Sequence, residues 1–205
     1  MANRFKAVIF DMGGVLLRTK DQKSRETLAE RFGTTREDLE RFIFQSPSSV
    51  KAEIGEISDI EHWREVISRY GRGHLAVKDV YAEFFAGDEL NHELLNYARN
   101  LKPEYKVGLL SNAWTNTREN LNKIYDFIGI FDVSIFSAEV KIRKPDSAIY
   151  QLMLNRLDIN ASQAIFIDDM KENVDGAQSL GLEAIHFKNT QATIEKLEKL
   201  LKNGA

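Results

Sequence analysis

The chain has no cysteine, which excludes disulfides, a thiolate nucleophile and structural zinc of the cysteine type. Proline is scarce, with 3 in 205 residues, and no proline- or serine-rich linker divides the chain. Neither sign of charge prevails: 28 Lys and Arg stand against 31 Asp and Glu, for a net charge of −3. That balance offers no basic face, so nucleic acid is not an expected partner. Long apolar runs are missing too; the longest, such as Ala7–Phe10 and Ala164–Ile167, span four or five residues, far short of a membrane span. Met1 leads almost directly into Phe5–Phe10 with no basic-then-apolar leader, so export is not expected and the cytoplasm is the expected location. The four histidines, His62, His74, His92 and His186, show no metal-ligand spacing. What remains for chemistry is carboxylates, hydroxyls, amides and lysines.

What is present is an ordinary globular composition, 43% hydrophobic and 29% charged, in a chain long enough to bury roughly 70% of its unfolded surface. Short continuous runs rich in Val, Ile and Phe occur at Lys6–Phe10, Lys106–Leu110, Val133–Phe136, Ala164–Ile167 and Glu183–Phe187. Without polar alternation they read as strands buried on both faces of a parallel sheet. Helical patterns at Thr115–Tyr125, Asp146–Leu157 and Asn173–Leu180 separate the later runs, and Gly181 stands where a helix end favours glycine. The alternation predicts α/β architecture, a doubly wound parallel sheet built from right-handed βαβ units.

Residues 18–92 break the alternation with amphipathic helical signal and no buried strand. Thr34-x-x-Glu37 and Ser58-x-x-Glu61 match the capping box. Leu39, Phe42 and Ile43 share one helical face, Ile60, Trp63, Val66 and Ile67 another, and Val80, Phe84 and Phe85 a third. An all-helical domain over 18–92 is therefore expected as an insertion into a core formed by 1–17 and 93–205.

Ligands of open parallel sheets bind beyond the carboxyl ends of the strands, so the residue after each apolar run carries the interest. These are Asp11, the pair Ser111 and Asn112, the cation-rich segment containing Lys144, and the pair Asp168 and Asp169. Each alone reads as a turn, a cap or a solvated charge; four at four strand ends read as a site. Its chemistry suits phosphoryl transfer. A carboxylate attacks phosphorus only when cations offset its repulsion with the phosphate dianion. Asp11, Asp168 and Asp169 would hold Mg²⁺, Lys144 adds positive charge, and Ser111 with the following amides can donate to phosphoryl oxygens.

Four ordered motifs resemble the haloacid dehalogenase (HAD) superfamily: Phe-Asp-x-Gly-Gly-Val-Leu at 10–16, Leu-Ser-Asn at 110–112, Arg-Lys-Pro-Asp-x-x-Ile-Tyr at 143–150, and Phe-Ile-Asp-Asp-x-x-x-Asn-Val-x-Gly-Ala at 166–177. The resemblance implies a Rossmann-like core with a helical cap inserted after the first strand. It implies Asp11 as nucleophile, Ser111 and Asn112 as phosphoryl binders, and Lys144 as the steadying cation. Asp169 would bind Mg²⁺ directly with Asp168 in support, and the Gly13 carbonyl would be a further ligand.

Phosphatases of this superfamily usually carry a second Asp, a general acid, where this chain has Gly13. Losing a general acid costs about 10²–10⁴-fold. An Asp-x-Gly loop together with Gly55-Glu56-Ile57-Ser58 is similar to the glucose-1-phosphate phosphatase-like branch, whose anomeric leaving group needs less protonation. The leading expectation is a Mg²⁺-dependent phosphatase for a small phosphorylated metabolite, a sugar phosphate, acting through an aspartyl phosphate. A haloacid dehalogenase and a silent binding protein are the alternatives. Lys51, Glu53 and Glu56 read as solvated charges, and His62 as a surface histidine or a substitute acid. Oligomeric state is left open.

Overall fold

A computed structural model describes residues 4–203. Seven strands form: β1 Ala7–Phe10, β2 Leu17–Thr19, β3 Asp88–Leu90, β4 Lys106–Ser111, β5 Val133–Phe136, β6 Ala164–Asp168 and β7 Glu183–His186. Five of them make one parallel sheet in the order β5-β4-β1-β6-β7. These are the five runs expected from the sequence, and the fold is an α/β, Rossmann-like, doubly wound sheet. β1 lies at the centre, where both faces are covered, and its side chains alternate between two cores. Val8 and Phe10 pack on one side, and Ala7 and Ile9 on the other, as the two-residue period of a strand requires.

Eleven helices are described. α1 Lys23–Phe32, α2 Arg36–Gln45, α3 Pro47–Glu53, α4 Asp59–Arg69 and α5 Val77–Phe85 lie in the insertion. α6 His92–Leu101, α7 Thr117–Ile124, α8 Ser137–Val140, α9 Ser147–Leu157, α10 Lys171–Ser179 and α11 Thr190–Asn203 belong to the sheet layers. None of the described helices is long and apolar enough to cross a membrane. The inserted helices close over a separate core of Leu28, Leu39, Ile43, Trp63, Val66 and Phe84, which also takes in Trp114 from the loop after β4.

Several local readings shift. The expected Thr34–Glu37 box is displaced by one residue: Thr35 is the N-cap of α2 and accepts from the Asp38 amide at 3.1 Å. The Ser58–Glu61 box forms with both of its hydrogen bonds. β2 and β3 pair antiparallel at the two ends of the insertion; three half-exposed residues each are too few to show an alternation in sequence. Ile60, assigned to the core face of α4, is exposed instead, because that flank of the helix faces the gap between insertion and sheet.

Candidate active site

The strand ends bring three of the predicted acids together. Asp11 follows the last residue of β1, Asp168 ends the neighbouring β6, and Asp169 comes next. Each offers an oxygen to a cluster whose atoms lie within 4.8 Å of one another. Lys144, reaching in from the loop before α9, is itself buried. Its Nζ donates to Asp11 Oδ1 at 2.5 Å and to Asp168 Oδ2 at 2.6 Å. Burial opposes a charge on Lys144, but the two carboxylates outweigh it and hold the ammonium above the ordinary lysine range.

Three carboxylates share one ammonium, and the surplus negative charge registers on Asp11. Burial, together with Asp168 and Asp169, raises it to about 8 against the pull of Lys144. Asp169 is raised for the same first reason, burial, with Asp168 adding to it. Asp168 is engaged on both oxygens: Asn173 Nδ2 donates to each at 3.1 Å, and the Met170 amide donates to Oδ1 at 2.8 Å. Asp169 pairs with no cation among the described residues. A hard, all-oxygen donor set short of positive charge fits a small divalent cation such as Mg²⁺.

Gly14, rather than Gly13, is the glycine that the site geometry demands. Its φ is +77°, and a Cβ there would lie 2.2 Å from Asp169 Oδ2. Gly13 lies outside the left-handed region, and a Cβ would meet nothing within 4 Å. Ser111 is buried at the end of β4, its hydroxyl making only a 3.3 Å contact to the Asn112 carbonyl. The Asn112 side chain is committed elsewhere. Oδ1 accepts from the Lys144 amide at 2.8 Å and Nδ2 donates to the Lys144 carbonyl at 3.0 Å. Asn112 therefore fixes the backbone from which the lysine reaches Asp11.

The insertion closes over this edge through contacts the sequence reading missed. Glu53, expected to be solvated, is buried, with Oε2 2.7 Å from Arg143 Nε; burial pushes its carboxyl up against the opposing pull of Arg143. Lys51 and Glu56 are exposed, as expected. Asp59 accepts from Asn116 Nδ2 at 2.7 Å and from Thr115 Oγ1 at 3.2 Å, and Trp114 Nε1 donates to Ser49 Oγ at 3.3 Å. His62 is neither a surface residue nor near the acids. It is fully buried, with Nε2 3.0 Å from the Ile43 carbonyl and Nδ1 2.9 Å from Ser48 Oγ. A carbonyl cannot donate, so Nε2 carries the proton and Nδ1 accepts from the serine. No sequence signal separates such a histidine from a surface one, because it is covered by α2, α3 and Trp114 of the loop after β4, whose ring centroid lies 5.0 Å away.

A buried lysine clamped between acids at the carboxyl edge of a doubly wound sheet, beneath a helical insertion, can support nucleophilic attack by a carboxylate. The family model for haloacid dehalogenase-like hydrolases matches residues 5–181, and the chain belongs to that family. It is 32% identical over 191 residues to a phosphorylated carbohydrates phosphatase of Thermotoga maritima, covering 88% of this chain and 84% of that one. It is 27% identical over 202 residues to a sesquiterpene phosphatase of Aspergillus oryzae, covering 98% and 99%. A HAD family enzyme of Bacteroides thetaiotaomicron, solved as a magnesium complex, superposes with a TM-score of 0.77 at 22% identity, over 94% of this chain and 99% of that one.

Proposed function

We propose that the chain is a Mg²⁺-dependent phosphatase of small phosphorylated metabolites, with phosphorylated carbohydrates the first class to test. The division of labour would be a catalytic core of 1–17 and 93–205 under a cap of 18–92. The observation that carries the reading is the cluster of Asp11, Asp168 and Asp169 around Lys144. The relative named for phosphorylated carbohydrates supports the substrate class, and the magnesium complex of the B. thetaiotaomicron enzyme supports the metal.

In this mechanism Asp11 attacks phosphorus, the bond from phosphorus to the leaving oxygen breaks, that oxygen takes a proton from solvent water, and an aspartyl phosphate forms. Water then attacks phosphorus and gives up a proton to solvent, the Asp11–phosphorus bond breaks, and phosphate leaves. Asp11, Asp169 and the Gly13 carbonyl would hold the cation, with Asp168 in support. When bound, the ion offsets the charge of the incoming phosphate and of the acid cluster. Lys144 stabilises charge on the attacking side, Ser111 donates to a phosphoryl oxygen, and Asn112 keeps Lys144 in place. p-Nitrophenyl phosphate assayed against Mg²⁺ tests the reading. Turnover is expected to require the ion, and Asp169→Ala to raise the half-saturating concentration roughly tenfold or more, since even indirect partners of a metal cost that much. An unchanged half-saturation would remove Asp169 from the ligand set.

Position 13 decides which leaving groups are tolerated. Lacking the acid, the enzyme should turn over aryl, acyl and anomeric phosphates much faster than primary-alcohol phosphates such as glucose 6-phosphate. Open space and an ordinary backbone at Gly13 mean that Gly13→Asp should fold with an unchanged melting temperature. It should narrow the gap between the two substrate groups by about 10²-fold. Equal wild-type rates on anomeric and primary phosphates would show that another group already supplies the proton.

A further inference from the structure

A cavity of about 1990 Å³ starts at Asp11 and Lys144 and runs between the insertion and the sheet toward α7 and the β2–β3 ribbon. Small-ligand sites are commonly ~300–1,000 Å³, so a phosphate and a compact sugar leave much of this space unused.

Uncovered apolar side chains gather along the remainder of the wall, beside the exposed charges of Arg64, Lys78, Glu119 and Lys123. Among the described residues, four large hydrophobic side chains are exposed: Phe44 (38%), Ile60 (44%), Ile124 (66%) and Met170 (42%). All four line this one cavity. Isolated exposed hydrophobics are normal, but their gathering on one concave surface marks a binding surface. Phe44 also stacks on Trp114, with ring centroids 6.0 Å apart and planes 12° from parallel, which presents a flat aromatic shelf.

The more deeply set polar groups along the same wall already have protein partners. Asp59 accepts from Asn116 and Thr115, the Tyr125 hydroxyl donates to the Asp88 carbonyl at 2.9 Å, and Arg25 is held by Glu40 and Asp88. A polyol laid against these paired groups would lose hydrogen bonds to water without replacing them, which costs free energy. A hydrocarbon loses only its unfavourable hydration.

We propose that this site also hydrolyses phosphate monoesters of apolar alcohols and phenols, the phosphate at Asp11 and the hydrocarbon along Phe44, Ile60 and Trp114. The proposal rests on the phosphatase reading and uses the same steps: water adds, the ester bond to phosphorus breaks, and the alcohol and inorganic phosphate leave. The apolar residues and the acid cluster line the same cavity, so one substrate can reach both. The missing acid at position 13 makes phenolic esters the better probes, because their leaving oxygen needs little protonation.

The experiment is a series of 4-alkylphenyl phosphates from methyl to hexyl, which lengthens the chain while leaving-group acidity stays nearly constant. Expected is a rise in kcat/KM of roughly two- to fourfold per added methylene, the ratio for burying a CH₂ group. Ile60→Ser, at an exposed position, should flatten that rise. p-Nitrophenyl phosphate serves as the control for the chemistry. Turnover of the control with a flat or falling series would overturn the proposal while leaving the phosphatase reading intact. Absence of control turnover would count against the phosphatase reading instead. The apolar wall is then judged by calorimetric binding of phenylphosphonate and 4-hexylphenylphosphonate. Tighter binding of the hexyl compound by tenfold or more, on the order of four buried methylenes or fewer, supports the wall; equal affinities reject it.

Discussion

Asp11→Asn is expected to lower phosphate release by at least about 10³-fold without weakening the fold. An amide cannot attack phosphorus as a carboxylate does, and the loss of a nucleophile is among the costliest single changes in an active site. Stability should hold because burial, with Asp168 and Asp169 adding to it, raises Asp11 to about 8, so that below that pH the substitution exchanges a neutral carboxyl for a neutral amide. Lys144 keeps its 2.6 Å contact to Asp168, so no buried cation is left alone. The same shift gives a signature in pH. In protein free of divalent cations, folded Asp11 holds its proton up to about 8, whereas the unfolded residue releases it near 3.8. The native state then binds more protons in that window, and wild-type stability falls as pH rises through it. The Asn variant should lose Asp11's share of that slope, while Asp169 and Glu53, also raised by burial, keep theirs. Phosphate release and melting curves from pH 4 to 8 on the same preparations check both effects. Activity within a few-fold of wild type would remove Asp11 from the nucleophile role.

Lys144→Met should abolish activity and destabilise the fold together. The ammonium is buried between Asp11 and Asp168 at 2.5 and 2.6 Å, and methionine fills similar volume without its charge. Removing one partner of a buried ionic network costs roughly 3–5 kcal/mol, because the remaining charges stay unpaired. For a protein of this size that corresponds to a melting temperature lower by on the order of 10 °C. Lys144→Arg should fail to restore turnover, since a planar guanidinium cannot occupy the place of a compact ammonium between two acids. Thermal unfolding and p-nitrophenyl phosphate turnover of both variants test this. A Met variant that melts like wild type would mean the acids shed their charge without the lysine.

The contrast between Gly13 and Gly14 shows where sequence reading stops. The departure at Gly13 is visible from the motif alone, because a missing carboxylate is a difference of residue type. That Gly14 cannot carry a side chain depends on Asp169, from the loop after β6, lying against it. Asn112 follows the same logic. Its position at a strand end suggests a ligand contact, and no local pattern records the two hydrogen bonds its side chain makes to the Lys144 backbone.

The five sheet strands and their parallel arrangement were legible in the sequence, because strands covered on both faces must be continuously apolar, whereas Lys144 reaches the edge only from beyond α8. The burial of His62 and Glu53, the exposure of Ile60, the displaced cap at Thr35 and the short ribbon of β2 and β3 were decided only in three dimensions. Each depends on which distant segment covers a given helix face or pairs with a given backbone. A local pattern records that a helix has two faces, and the packing of the insertion against the sheet determines which residues at their border meet protein and which meet the cavity.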